Sequence, residues 1–174
     1  MSEFLKLEIV DFPEAKFVGK MVKCSMEPGE KPIKKLWDQC SADGTFGILE
    51  GMADYVINPD YADWMGEYDE KTTEFVCLVG MIMKPGCPVP GGFASRDIPA
   101  TKMAVGYVRG SEPDGGIYED AGDLTLKAMA DQGYEYDDSK GYMLEIYNKE
   151  RFAVPVERGD ALVVLDNYMP IKSK

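Results

Sequence analysis

Acidic and phenolic side chains are the groups in this sequence that could carry acid–base chemistry. The chain contains no histidine, so the usual neutral-pH base and the usual metal ligand are both missing. Glu145 stands out because it interrupts the apolar stretch Tyr142–Asn148. Strand alternation would place it on one face with Met143 and Tyr147. From the residues alone, Glu145 is either a solvated acid on a sheet surface or a carboxylate in a binding site.

A carboxylate enclosed by apolar and aromatic side chains can act in two ways. Its charge is costly to bury unless a cation accompanies it, and ring faces add cation–π attraction, so the site suits hydrophobic cations. The same burial raises the pKa of a glutamate and makes it a general acid or base near neutral pH. Glu145 is therefore compatible with a binding protein and with an enzyme.

Further candidate site residues follow from strand positions. Asp166 follows the apolar run 161–165 and would share a strand face with Tyr168, so both residues are candidates for a ligand site. The alternative interpretation of Asp166 is an exposed acid near the end of a strand. The other aromatic candidates for a ligand cleft are Tyr107, Tyr55, Tyr68 and Trp64. Core packing is the ordinary role of such tyrosines. The acidic, aromatic segment 58–70 lacks an amphipathic period, which predicts an inserted loop that carries Trp64 as a lid.

Composition and charge narrow the classes of function. A length of 174 residues with 45% hydrophobic content predicts one compact domain. The net charge of −12 argues against direct nucleic-acid binding. It suits a cationic small molecule, although solubility alone also accounts for an acidic surface. The four cysteines form no closely spaced pair, so we expect reduced structural thiols and no metal or other cofactor.

The N-terminal sequence MSEFLKLEIV has neither the basic start nor the long apolar run of a signal peptide. The longest apolar run, 75–83, is too short to span a bilayer. These features predict a cytoplasmic protein with no membrane partner.

The sequence contains a repeated phrase. DFPEAKFVGKMV (Asp11–Val22) and DIPATKMAVGYV (Asp97–Val108) share Asp, Pro, Lys and the final Val at matching positions. Repetition of this kind indicates a duplicated supersecondary unit. Each copy has β-branched and aromatic residues after a proline, which predicts a strand.

A helix and two strands follow each copy in the predicted order. Apolar residues at helical spacing predict the two helices, which begin near Pro32 in the first half and end at Gly133 in the second. The closing strands are predicted at about 46–56, 74–83, 142–148 and 161–171. The fold class is therefore α+β, a tandem β-α-β-β module within a single domain. The first module spans about 1–84, a Pro- and Gly-rich linker about 85–95, and the second module about 96–174.

These features resemble the GyrI-like small-molecule-binding domains, which also serve as effector-binding domains of bacterial multidrug-sensing and AraC-type transcription regulators. The marks of the resemblance are Leu36-Trp37, Gly44, Phe46-Gly47, Pro90-Gly91-Gly92-Phe93, Ile98-Pro99-Ala100, Ala104-Val105, Gly133-Tyr134-Glu135, Leu144-Glu145-Ile146-Tyr147 and Tyr168-Met169-Pro170-Ile171-Lys172. They run in order across nearly the whole chain.

The resemblance implies two modules related by a pseudo-two-fold axis, with a ligand cleft where they meet. It also implies that Glu145 occupies the position of the family's ligand-site acid. Asp166 stands where the family often has Glu, and Ala128 stands where many relatives have Trp. The Asp166 side chain is shorter than that of glutamate and would reach less far into the pocket. Ala128 is smaller than tryptophan and would change the shape and size of the pocket.

The expected function is that of a stand-alone binding protein for hydrophobic, cationic or planar aromatic compounds, because the first repeat begins almost at the N-terminus. An alternative is hydrolysis of strained cyclopropane rings in DNA-alkylating natural products, with Glu145 as the base and Asp166 and Tyr147 as helpers. A further alternative is an inhibitor that binds gyrase or another protein partner.

Overall fold

The structure is a computed structural model that describes residues 1–29 and 31–173. The strands are β1 (Glu3–Phe12), β2 (Ala15–Ser25), β3 (Val56–Asp69), β4 (Glu74–Met83), β5 (Ala94–Ile98), β6 (Thr101–Gly110), β7 (Tyr142–Tyr147) and β8 (Val163–Pro170). The α-helices are α1 (Pro32–Ala42), α2 (Thr45–Glu50), α3 (Gly116–Asp131) and α4 (Val154–Arg158). The predicted α+β class is confirmed.

Local sequence signals explain the two longer helices. Pro32 occupies the first turn of α1, where its missing N–H is no loss, and the helix ends before Gly44, which has a φ of 80°. In α3 the residues Ile117, Ala121, Thr125, Ala128 and Met129 are buried, which is the stripe expected for a helix packed on a sheet. Both helices lie where the sequence predicts them.

The chain forms two compact units, 13–100 and a second unit that joins Met1–Phe12 to the chain from Thr101 onward. The element order is β2-α1-α2-β3-β4-β5 in the unit 13–100, and β1 followed by β6-α3-β7-α4-β8 in the other unit. Strand β1 pairs with β6, and β5 pairs with β2. Strand β1 therefore belongs to the sheet of the unit that continues at Thr101, and β5 belongs to the sheet of the unit 13–100.

The unit containing the C-terminal half has the antiparallel strand order β1-β6-β8-β7. Helix α3 covers the face that carries Val108 and Leu165. Gly106 in β6 permits a close approach, because a Cβ there would lie 2.2 Å from Thr125 Oγ1 of α3. Helix α3 therefore packs directly against the backbone of β6 at Gly106.

The unit 13–100 has the antiparallel strand order β3-β4-β2-β5. Helices α1 and α2 pack on one face of this sheet. The buried residues of the resulting core are Val18, Leu36, Cys40, Phe46, Leu49, Val79, Met81, Met83 and Cys87.

Two predictions of local structure are wrong. The segment 46–56 contains α2 and a 3-10 turn (Ala53–Tyr55) rather than a strand. The segment 58–70 is not a loop, because nearly all of it belongs to β3. Three consecutive residues of β3, Ala62, Asp63 and Trp64, are buried, so the polar–apolar alternation that identifies a half-exposed strand is absent.

None of the described helices combines the length and the apolar character needed to cross a bilayer.

Candidate functional site

Glu145 lies in the middle of β7 and is only 6% exposed. Its neighbours on the same strand face, Met143 and Tyr147, pack against core clusters that include α3 residues. The Tyr147 hydroxyl donates a hydrogen bond of 3.0 Å to Glu145 Oε2. The helix-covered face therefore holds Glu145, and the alternative of a solvated acid does not apply.

Asn167 is the residue opposite Glu145 on the neighbouring strand β8. Its side chain is fully buried, at 0% exposure. On its other side Asn167 faces Gly106 of β6, the glycine over which α3 packs. Sequence analysis missed Asn167; the available signal is an amide in the run 163–171, at alternate spacing with the buried Leu165 and Met169.

Asp166 is buried but lies on the opposite face of the same sheet. It is paired across the strands with Ile146 of β7 and Tyr107 of β6. The Arg151 guanidinium donates to both carboxylate oxygens, at 3.3 Å from Nε and 2.5 Å from Nη2. This contact raises the pKa of Arg151. The structure thus gives Asp166 a salt-bridge partner and does not bring it to the face of Glu145.

The position of Arg151 is set by a π-helical turn (Lys149–Ala153) that follows β7. The Asn148 side-chain oxygen accepts hydrogen bonds of 3.1 Å from the backbone N–H groups of Glu150 and Arg151. This cap fixes the start of the turn from which Arg151 pairs with Asp166.

Tyr107 and Tyr168 lie on the Asp166 face. The Arg151 guanidinium carbon stands 5.3 Å from the centre of the Tyr107 ring, and the Tyr107 hydroxyl donates to Glu8 Oε2 at 2.7 Å. Burial, together with this bond to Glu8, raises the pKa of Tyr107. The Tyr168 ring meets Phe12 edge-on at 6.0 Å. The predicted residues of this unit therefore divide into Glu145 with Tyr147 and a separate ionic and aromatic group.

The remaining predicted aromatic residues, Trp64, Tyr55 and Tyr68, belong to the unit 13–100. Trp64 is 4% exposed within β3, with Arg96 stacked 5.5 Å from its ring centre, so the prediction of a loop lid is wrong. Tyr55 packs against the core of the unit, and Tyr68 is 54% exposed near the end of β3.

A third buried acid, Asp63, was not predicted because the segment 58–70 was expected to be a loop. Asp63 is 1% exposed, and Trp37 Nε1 donates to its Oδ2 at 3.4 Å. The neighbouring rings of Phe46 and Tyr61 are stacked at 3.8 Å. The unit 13–100 therefore also combines a buried carboxylate with aromatic side chains.

All four cysteines are buried and none of them forms a disulfide. Burial raises the pKa values of the Cys40 and Cys87 thiols. Within residues 1–29 and 31–173, no group of three acidic or cysteine side chains is placed to hold a metal ion. A surface depression of about 470 Å³ is lined by residues of 14–16, 85–86 and 97–100, so none of the predicted site residues contributes to it.

No family model matches the sequence, and no curated protein matches it either. Solved structures do match the fold. SAV2435 bound to tetraphenylphosphonium superposes with a TM-score of 0.66 at 10% identity, covering 97% of this chain and 95% of that chain. The C-terminal domain of EcmrR superposes with a TM-score of 0.60 at 14% identity, and the match covers 98% of this chain and 99% of that chain. A hydrolase from Listeria innocua superposes with a TM-score of 0.52 at 14% identity, and the match covers 96% of this chain and 92% of that chain.

The structural neighbours include GyrI-like and effector-binding domain proteins. The resemblance drawn from the sequence is therefore confirmed at the level of the fold. The neighbours match over nearly the full length of the chain.

Proposed function

We propose that this chain is a small-molecule-binding domain of the GyrI-like kind, and that Glu145 holds hydrophobic or planar aromatic cations. The observation that carries the proposal is the burial of Glu145, at 6% exposure, on an apolar sheet face. A carboxylate is costly to keep ionised in such surroundings, and an organic cation beside it offsets that cost.

Two further facts support a cationic ligand. The neighbour SAV2435 was solved with tetraphenylphosphonium, a cation enclosed by phenyl rings. The net charge of −12 gives this chain a negative field that raises the local concentration of cations. Tyr147, hydrogen-bonded to Glu145, supplies a ring next to the carboxylate for the apolar part of a ligand.

Calorimetric titration with tetraphenylphosphonium tests the proposal. We expect Glu145→Gln to weaken binding roughly 10- to 100-fold, because it removes the charge beside the bound cation. Glu157→Gln is the matched control, since Glu157 is exposed on α4 and its substitution removes the same charge. Equal affinities of the two variants would show that only the general field of the protein matters.

Hydrolysis of strained cyclopropane compounds is the second candidate function. The contact between Tyr147 and Glu145 favours it, because a buried carboxylate can take a proton from water while a phenol donates to the electron-accepting end of the substrate. Water oxygen would bond to a ring carbon as a ring C–C bond breaks, with the bonding electrons moving into the conjugated acceptor.

Mass spectrometry of a cyclopropane-bearing alkylator decides this second candidate. Incubation with a catalytic amount of the protein should give the water adduct, and Glu145→Gln should abolish its formation. An unchanged compound after incubation with the wild-type protein would rule out the hydrolase and leave the binding function in place.

A further inference from the structure

Asn167 is a buried amide that the fold does not satisfy. Neither Nδ2 nor Oδ1 has a hydrogen-bond partner within the described part of the chain, and both atoms are inaccessible to solvent. An unsatisfied buried amide destabilises a folded protein, and most buried polar groups are hydrogen-bonded for that reason. Such a group at the centre of a sheet therefore points to a role outside folding.

The residues that flank Asn167 do not meet its hydrogen-bonding needs. Gly106 on one side has no side chain. The Thr125 hydroxyl, which overlies Gly106, donates to the Ala121 carbonyl at 2.8 Å. On the same strand, Leu165 and Met169 are apolar.

Glu145 lies on the other side, directly across the strand pair from Asn167. Directly opposite residues have Cβ atoms about 4.5–5.5 Å apart and present their side chains on the same face. The carboxylate accepts hydrogen bonds only, whereas the amide both accepts and donates. A single group placed between the two side chains would therefore need several N–H donors to hydrogen-bond to both the carboxylate and the amide oxygen.

Resting on the proposed function, we infer that Asn167 is the specificity-determining partner of Glu145 and selects planar cations that carry N–H donors. An aromatic amidinium has the required form, because its two nitrogens donate in different directions. One nitrogen would donate to the Glu145 carboxylate and the other to Asn167 Oδ1. A quaternary ammonium carries the same charge but no N–H group, and it would leave the amide unsatisfied.

The test compares two probes of similar size and equal charge, benzamidine and phenyltrimethylammonium. We expect the wild-type protein to bind benzamidine about 10-fold more tightly, which is the value of one good hydrogen bond to a buried group. Asn167→Leu, which keeps the shape and removes the amide, should weaken benzamidine binding and lower this ratio to about one. Glu145→Gln should weaken both probes.

The outcomes separate the inference from the function on which it depends. An unchanged probe ratio in Asn167→Leu, with both probes weakened by Glu145→Gln, would overturn the role of Asn167 alone. Failure of the wild-type protein to bind either probe would overturn both proposals. Thermal unfolding of the ligand-free variant gives an independent readout. Loss of the unsatisfied amide should raise the Tm or leave it unchanged, whereas an amide retained for folding would make the Tm fall.

Discussion

The ion pair between Arg151 and Asp166 gives the sharpest stability prediction. The Asp166 side chain is 3% exposed, and the Arg151 side chain is 42% exposed. Arg151→Met therefore leaves a carboxylate buried without its cation, while the methionine stem still covers part of the same surface. Breaking a fully buried pair costs about 3–5 kcal/mol, and hydrogen bonds to charged groups contribute about 1.5–3 kcal/mol.

Because Arg151 is partly solvated, we discount the fully buried value and expect a loss of roughly 2–4 kcal/mol. This includes the loss of the cation–π contact with Tyr107, which lies 5.3 Å from the guanidinium carbon. For a chain of this length, the Tm should fall by about 5–12 °C. Urea unfolding followed by circular dichroism gives the free energy directly.

Arg158→Met is the matched control in the same unit. Arg158 pairs with Asp160 at the surface, where the two side chains are 65% and 35% exposed. Exposed pairs contribute about 0–1 kcal/mol. If Arg151→Met destabilises the protein no more than Arg158→Met does, the structural role assigned to Asp166 is refuted.

Two further predictions concern packing and pH. Gly106→Ala should cost about 1–3 kcal/mol, since its Cβ would lie 2.2 Å from Thr125 Oγ1; urea unfolding of the double variant with Thr125→Ala should show a partial rescue. Burial, with the hydrogen bond to Glu50, raises the pKa of Tyr61 from 10.0 to about 12. Stability from this group is fully present below pH ~10 and is lost as the pH rises toward ~12, because the unfolded tyrosine ionises first. Tyr61→Phe should make the unfolding free energy less dependent on pH between pH ~10 and ~12. An unaltered pH profile would contradict the raised pKa of Tyr61.

The parts of the fold that were predictable have local signals. Helix α1 has Pro32 in its first turn and apolar residues at helical spacing, and α3 is followed by Gly133. Helix α2 has only six residues, too few for a periodic pattern, and was predicted as a strand. Strand β3 was missed because its centre is buried on consecutive residues.

The candidate site was predictable only in part, for a related reason. The strand and face of Glu145 follow from alternation, and its proximity to Tyr147 follows from their spacing of two residues. The salt bridge between Asp166 and Arg151 could not be predicted from the sequence. Arg151 lies in a π-helical turn, and such a turn has no characteristic periodic pattern in the sequence. Asn167 gives no signal of its own either, since its significance depends on which neighbours leave its amide unsatisfied.

The central claim is that the bound cation contacts Glu145, and a crystal structure with tetraphenylarsonium tests it most directly. Arsenic scatters anomalously, so its position in the complex can be located without reference to the surrounding atomic coordinates. We predict an arsenic peak on the α3-covered side of β7, with a phenyl ring of the cation in van der Waals contact with the Glu145 carboxylate. An arsenic peak remote from Glu145, at full occupancy, would contradict the account.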